Sequence, residues 1–298
     1  MFAFLPGAAR VPLALALLVS NIVLHIVPLF ALTLVKLLLP LRGWRRLCSR
    51  VLVWIAESWI GVNNALFALF TRIRWCIDGL EGLRRDANYL VLCNHQSWVD
   101  IPVLQKVLNR RVPFLRFFLK SQLIWVPLLG PAWWALDFPF MKRYSKETLA
   151  RHPELRGRDM EATRRACAKF RELPVSVMNF VEGTRFTRAK HDAQGSPYRH
   201  LLKPRAGGVA FVLDAMGAGL HNLLEVAIVY PGGACSMFDL IAGRVHEIRV
   251  SLRQRPLDAS LRGDYEGDTA FRERFQTWVN ALWREQDDRV ERLQAISG

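Results

Sequence analysis

This sequence lacks the cysteine pattern of a disulfide framework. Cys48, Cys76, Cys93, Cys167 and Cys235 are odd in number, widely scattered and include no C-x-x-C pair. A disulfide framework and a zinc ribbon are therefore excluded, and the usage fits a reducing compartment. All five read as small core or lipid-facing residues. Internal repeats and low-complexity tracts are absent. So are a Gly-aromatic RNA motif and a zinc finger, which speaks against nucleic acid as a partner. Acid is scarce: 26 Asp and Glu stand against 41 Lys and Arg, a net charge of +15, with a pI near 10.3. Such a chain suits a polyanion: nucleic acid, an anionic membrane face or a phosphorylated substrate.

Apolar surface is what the chain has in plenty. Apolar residues make up 51%, and the mean hydropathy is +0.12, both high for a soluble domain. A length of 298 residues allows one large domain with appended helices, or two smaller domains. Residues 11–39 are almost wholly apolar, broken by Ser20, Asn21, His25, Thr33 and Lys36. That exceeds the roughly 20 residues needed to cross a bilayer. Pro28 would kink a helix there. Arg42, Arg45, Arg46 and Arg50 come immediately after, whereas only Arg10 and the amino terminus precede. The positive-inside rule then places the residues after 40 in the cytoplasm. The charged start is weak and the run too long for a usual signal-peptide core, so it reads as a retained anchor.

A second run, 51–70, carries Glu57, Asn63 and Asn64, which are costly at mid-bilayer. It is either the second arm of a hairpin or a helix lying in the interface. A third, 123–140, contains Pro127, Gly130, Pro131 and Pro139, which argue against a spanning helix. It reads as a buried or interfacial segment rich in Trp125, Trp133 and Trp134. The expected division is membrane-anchoring helices over 1–70 and an α/β domain with a C-terminal amphipathic helix over 71–298.

Beyond residue 70 the periodicity switches repeatedly. Strands are expected at 72–77, 89–94, 175–181, 224–230 and 245–252, and helices at 101–108, 159–173 and 207–216. Residues 142–158 read as a basic loop. Phe271, Phe275, Trp278 and Leu282 recur at helical spacing and mark one amphipathic face. Strands alternating with helices predict an α/β fold, a mostly parallel mixed sheet flanked by helices and preceded by N-terminal membrane-embedded helices.

Three segments carry chemistry, each where an apolar strand stops, which is where ligands bind in open α/β sheets. The first is Asn94-His95-Gln96-Ser97-Trp98-Val99-Asp100. Ser97 can cap the next helix, placing Asp100 in its first turn with its carboxylate pointing back to His95. A carboxylate on one ring nitrogen fixes the tautomer, leaving the other to take a proton from a hydroxyl. Ser97 and Asp100 also fit a plain capping pair, with His95 an ordinary turn residue.

The second segment is Phe180-Val181-Glu182-Gly183-Thr184-Arg185-Phe186-Thr187. A strand ends in a glycine turn whose N–H groups, Thr184 and Arg185 would hold a phosphate. Glu182 would orient Arg185 or bond a substrate hydroxyl. Lys190, His191, Lys203 and Arg205 either add positive charge or form a solvated loop. The third is Asp137-Phe138-Pro139-Phe140-Met141-Lys142-Arg143, which delivers two cations either to a phosphate or to a membrane surface. The spacing of His95, Asp100, His191 and Asp192 is not metal-like, and no metal is expected.

The His-x₄-Asp segment, the later Glu182-Gly183-Thr184-Arg185 and the order of the remaining blocks resemble the PlsC-type glycerolipid acyltransferase family, which includes the 1-acylglycerol-3-phosphate O-acyltransferases. The apolar-aromatic stretch closing on Arg143 and the strand of residues 226–231 ending at Pro231 look like two further blocks. The longer match from Glu182 to Thr187, with Lys190-His191 after it, looks like the subgroup holding eukaryotic lysophospholipid acyltransferases and bacterial relatives. The resemblance covers roughly residues 85 to 235. It implies His95 as general base, Asp100 as its orienting partner, and Glu182, Gly183, Thr184, Arg185 and Arg143 as binders of the acceptor's phosphoglycerol part. Val181 stands where many members have proline, Lys142 where many have an acidic residue, and Tyr230 in place of a frequent proline, which leaves the acceptor headgroup open.

The implied reaction moves an acyl group from acyl-CoA or acyl-carrier protein to a lysophospholipid hydroxyl, without cofactor, on the cytoplasmic side of a bacterial inner membrane. Membrane lipids are the expected partners, and the oligomeric state stays open. Two alternatives remain: a late acyltransferase of lipopolysaccharide assembly, against which the Glu182 to Arg185 segment speaks, and a membrane-anchored basic binding protein without catalysis.

Overall fold

The computed structural model describes residues 2, 6–141, 151, 167 and 173–296. Two long helices come first, α1 (Gly7–Leu38) and α2 (Arg42–Phe70). Next come β1 (Arg74–Asp78), β2 (Tyr89–Cys93), α3 (Asp100–Leu108), β3 (Leu115–Phe117), β4 (Leu119–Lys120), α4 (Leu129–Ala135), β5 (Phe140–Met141) and β6 (Ser176–Phe180). The chain closes with α5 (Arg188–Gln194), α6 (Ala206–Met216), β7 (Asn222–Val229), α7 (Met237–Ile241), β8 (Glu247–Pro256) and α8 (Thr269–Ala295). The helix expected at 159–173 and the basic loop at 142–158 fall almost wholly outside the described residues.

Six strands form one sheet in the order β1-β8-β7-β2-β6-β3. The four from β7 to β3 run parallel, while β7 and β8 are antiparallel. This is the mixed, mostly parallel sheet that the alternation of apolar runs predicts. Period-two side-chain alternation sorts the core into two layers. Leu90 and Leu92 of β2 pack with Val209 and Leu213 of α6 and with Phe275, Val279 and Trp283 of α8. Tyr89, Val91 and Cys93, one residue out of step, pack with Val103, Leu104 and Val107 of α3. All five residues of β2 are buried, as a strand covered on both faces requires.

Register decides where chemistry can gather. Cys93 of β2 lies level with Phe180 of β6 and Val226 of β7. Because these strands are parallel, the segments after β2, β6 and β7 leave from the same edge of the sheet.

The helical pair explains the polar breaks in the apolar runs. Asn21 of α1 donates to the Trp59 carbonyl at 3.1 Å and to Asn63 at 2.9 Å, and His25 reaches Ser58 at 3.3 Å. These bonds join the polar side chains of the two helices to one another. Glu57 faces the α/β domain instead: Arg85 donates to both carboxylate oxygens at 2.9 and 2.8 Å. α1 continues through Pro12 and Pro28 as one helix. Both of its ends touch the domain, Arg10 through the Ala242 carbonyl and Lys36 through an ion pair to Asp137 at 3.0 Å.

Some elements were invisible in the sequence. β3 has three residues, and β4 and β5 have two each, too few to show alternation. α5 and α7 are similarly short. The proline-rich stretch at 123–140 resolves into a short turn of helix, α4 and β5, with Trp125 84% exposed. Removing the buried carboxylate with Glu57→Ala is expected to lower stability by about 1–3 kcal/mol. Thermal unfolding in detergent would measure the loss, and faster amide exchange confined to α2 would locate it.

Candidate active site

The site begins at a strand end that side chains extend by one rung. Asn94, wholly buried, donates to the Ile228 carbonyl at 2.9 Å and accepts from the Ile228 amide at 2.9 Å. Its side-chain amide takes the place of the peptide that the turn has moved away. His95 therefore leaves the sheet from a fixed point.

The imidazole of His95 lies against the Phe180 ring, centroids 3.9 Å apart and planes within 14°. Its Nδ1 meets Asp100 Oδ2 at 2.8 Å. The same oxygen accepts from the amides of Gln96 at 2.7 Å and Ser97 at 2.9 Å. The second oxygen accepts from the Tyr230 hydroxyl at 2.7 Å. With Asp100 acting as acceptor throughout, the Nδ1 proton belongs to the imidazole, and Nε2 is its acceptor nitrogen. Asp100 is the first residue of α3, as the sequence suggests. The capping pair is only half formed: Asp100 takes the Ser97 amide, but the Ser97 hydroxyl accepts from Val99 at 3.0 Å.

Tyr230 is the group that sequence reasoning missed as a partner. It stood out only as a departure from a frequent proline. It is 130 residues from Asp100 along the chain, and only the parallel register of β2 and β7 brings them together. Burial and the neighbouring Asp100 push its phenol well above the usual range.

The segment from Glu182 to Arg185 comes alongside, tied by the Phe186 amide to the His95 carbonyl at 2.7 Å. Gly183 has φ +67°, and a Cβ there would sit 2.8 Å from the Arg205 side chain. Lys190 donates to the Thr184 hydroxyl at 2.8 Å and to the Arg185 carbonyl at 2.9 Å. The Arg185 guanidinium lies 4.5 Å over the ring of Trp98. Cations thus converge on this turn from three positions, Arg185, Lys190 and Arg205. His191 turns away, to the Tyr198 carbonyl at 2.7 Å and to Asp192 at 3.1 Å.

The expectation that Glu182 orients Arg185 or meets a substrate hydroxyl needs correcting. Its carboxylate is 1% exposed and accepts from the backbone amides of His95 at 3.0 Å and Leu202 at 3.1 Å. It fastens the histidine turn from behind. A strand-end acid must satisfy the nearest orphaned amides before it can serve a ligand. Arg143 lies outside the described residues.

On its other side His95 opens onto an apolar cavity of about 320 Å³, lined by Phe114, Phe117, Phe138, Phe180 and Trp133 among others. The arrangement is a hydrogen-bonded His–Asp pair between an apolar cavity and a cationic turn.

A sequence model of the Acyltransferase family matches residues 74–237. That is more than half of the chain, and the chain belongs to this family. It is 27% identical over 254 residues to lysocardiolipin acyltransferase 1 of Danio rerio, covering 80% of this chain and 61% of that protein. It is 24% identical over 179 residues to the human 1-acyl-sn-glycerol-3-phosphate acyltransferase gamma, covering 56% of this chain and 43% of that one. The chain thus spans about three fifths or less of the length of these relatives. Its fold is also that of the 1-acyl-sn-glycerophosphate acyltransferase PlsC from Thermotoga maritima, with a TM-score of 0.55 at 18% identity, covering 98% of this chain and 100% of the other.

Burial pushes the Glu182 carboxyl up to about 8, against the two backbone N–H bonds, which pull it down. The folded protein then holds this proton to about pH 8, whereas a free glutamate releases it near 4.5. The stability that neutral Glu182 contributes is full below the lower value and is lost as pH rises through the upper one. Glu182→Gln is expected to flatten the stability–pH curve over that window, measured by chemical denaturation of both proteins from about pH 4 to 9.

Proposed function

We propose that this chain transfers a fatty acyl group from a thioester donor, acyl-CoA or acyl-carrier protein, to the hydroxyl of a lysophospholipid such as 1-acylglycerol-3-phosphate. The observation that carries this is the His95–Asp100 contact at 2.8 Å at the mouth of the apolar cavity, beside the cationic turn at Gly183 to Arg185. Relatives that bear the name of acylglycerol-phosphate acyltransferases point the same way.

Nε2 of His95 takes the proton of the acceptor hydroxyl, whose oxygen attacks the thioester carbonyl. Collapse of the tetrahedral adduct breaks the carbon–sulfur bond, and the imidazolium gives its proton to the departing thiolate, which leaves as the thiol. Asp100 holds the ring and stabilises the imidazolium during the exchange. Phe180 sets the ring plane, and Tyr230 holds Asp100. The apolar cavity suits a fatty chain, each buried CH₂ being worth about 0.8 kcal/mol. Thr184, Arg185 and Lys190 suit the phosphate of the acceptor.

Lifting such substrates into water would be costly, so the enzyme rests on a bilayer. The contacts at Arg10 and Lys36 are separated by about 39 Å of helix, more than the roughly 30 Å hydrocarbon core. A helix held to the domain over that length beds into one face of the membrane rather than crossing it. The basic residues after 40 lie at that surface and suit the anionic cytoplasmic leaflet of a bacterial inner membrane, on which the domain sits.

Purified His95→Ala should acylate lysophosphatidate with acyl-CoA at least about 10²–10⁴-fold more slowly while staying folded. Undiminished turnover would remove the histidine from the mechanism. Tyr230→Phe deletes one donor to Asp100, leaving more negative charge facing the imidazole. The acidic limb of its pH–rate profile should move to higher pH, with kcat reduced several-fold. A fall in stability with an unmoved profile would restrict Tyr230 to packing.

A further inference from the structure

A second cavity, of about 420 Å³, lies between the α1–α2 connection and the β3 edge, lined by Lys36, Arg42, Arg45, Arg46, Arg116 and Asp137 among others. We propose that it binds the phosphate headgroup of an anionic phospholipid, one other than the lipid being acylated.

The charge balance is lopsided. Asp137 is the one carboxylate among the described lining residues, and Lys36 and Ser49 already bond to it, at 3.0 and 3.4 Å. Arg42, Arg45 and Arg46 are exposed and have no acidic partner among the described residues. They sit three and four residues apart on the first turns of α2, a spacing at which like charges repel. That turn carries no acidic residue and no side-chain cap. Arg116 supplies a buried wall, donating through Nε to the Leu136 carbonyl at 3.0 Å. An anion would relieve the repulsion and meet the uncapped helix start.

The surroundings of the cavity say which anion. Leu34, Leu38 and Leu41, at 66%, 75% and 62% exposure, flank the cations at the α1–α2 connection. A ligand fitting both has a phosphate at one end and hydrocarbon at the other. The cavity is also separate from the proposed reaction chamber. Leu115, Phe117, Trp133 and Phe138 line the chamber, whereas Arg116, Trp134 and Asp137, their chain neighbours, line this cavity. Alternation along β3 and the 133–138 segment thus makes one wall with a catalytic and a lipid-binding side. A lipid seated there would hold the hairpin at a fixed depth and tilt against the domain.

This proposal does not rest on the acyl-transfer reading, and its test does not measure turnover. The detergent-purified full chain would be titrated with phosphatidylglycerol and examined by native mass spectrometry. Wild type should carry one lipid adduct, and R42Q/R45Q/R46Q roughly tenfold less. R274Q/R284Q/R292Q, which removes the same charge from the exposed face of α8, should bind like wild type. So should His95→Ala, whatever its activity. Phosphatidylcholine should form no comparable adduct, and millimolar inorganic phosphate should not displace the lipid. Equal losses in both triple variants would mean diffuse charge attraction and overturn the site. Unchanged binding in R42Q/R45Q/R46Q would do the same, and displacement by inorganic phosphate would replace the lipid by a free anion. Should the triple variant fail to fold by circular dichroism, the R46Q single variant is compared with R284Q on the same measure.

Discussion

A carboxylate buried inside the fold has to be met by donors, and Asp100 is met by four. The imidazole of His95, the amides of Gln96 and Ser97 and the hydroxyl of Tyr230 all point at its two oxygens. Much of the structure serves to bring those donors together. The first turn of α3 places the carboxylate, the turn leading into it places the amides, the end of β2 places the histidine, and the end of β7 places the tyrosine. Parallel strands in register are what make those ends neighbours. The network is costly if any member is missing, since a buried unpaired group forfeits its hydration. That is a physical reason for this corner of the sheet to be built from side chains as well as backbone, with Asn94 extending the ladder and Glu182 closing the loop behind.

The same requirement governs the helical hairpin. Several of the polar residues that break its apolar runs, Asn21, His25, Lys36 and Glu57, bond between the two helices or toward the domain. Many of its leucines, Leu24, Leu34 and Leu38 among them, remain outward. The hairpin is therefore not independent of the α/β layers: Glu57, Lys36 and Arg10 each tie it down at a different point. A hairpin fixed in this way holds its outward apolar face at a set angle to the candidate site.

Elements long enough to repeat their pattern were legible in the sequence. β2 showed as five apolar residues bounded by a turn and a histidine, α6 as a small-residue apolar helix, and α8 through the spacing of Phe271, Phe275, Trp278 and Leu282. β3 did not show, because three residues carry no period, and yet it walls the apolar cavity. The candidate site was legible in its local part. His95 and Asp100 are five residues apart, so a single turn accounts for their contact. Tyr230 and Glu182 were misjudged because their partners lie at the far end of a register, and register is a property of the sheet.

The sequence by itself determined an α/β chain with an apolar N-terminus, a surplus of positive charge, and a histidine poised one turn before an acid. Those come from composition, periodicity and contacts within a few residues, all of which are local. Tertiary structure decided which strand ends share an edge and which cations gather around Gly183. It also decided that Glu182 faces backbone amides, and that Arg116 and its neighbours point to opposite sides of one wall. Each of these depends on the pairing of residues far apart in the chain, and burial then fixes the outcome, because a polar group inside the fold must take whichever partner the register delivers.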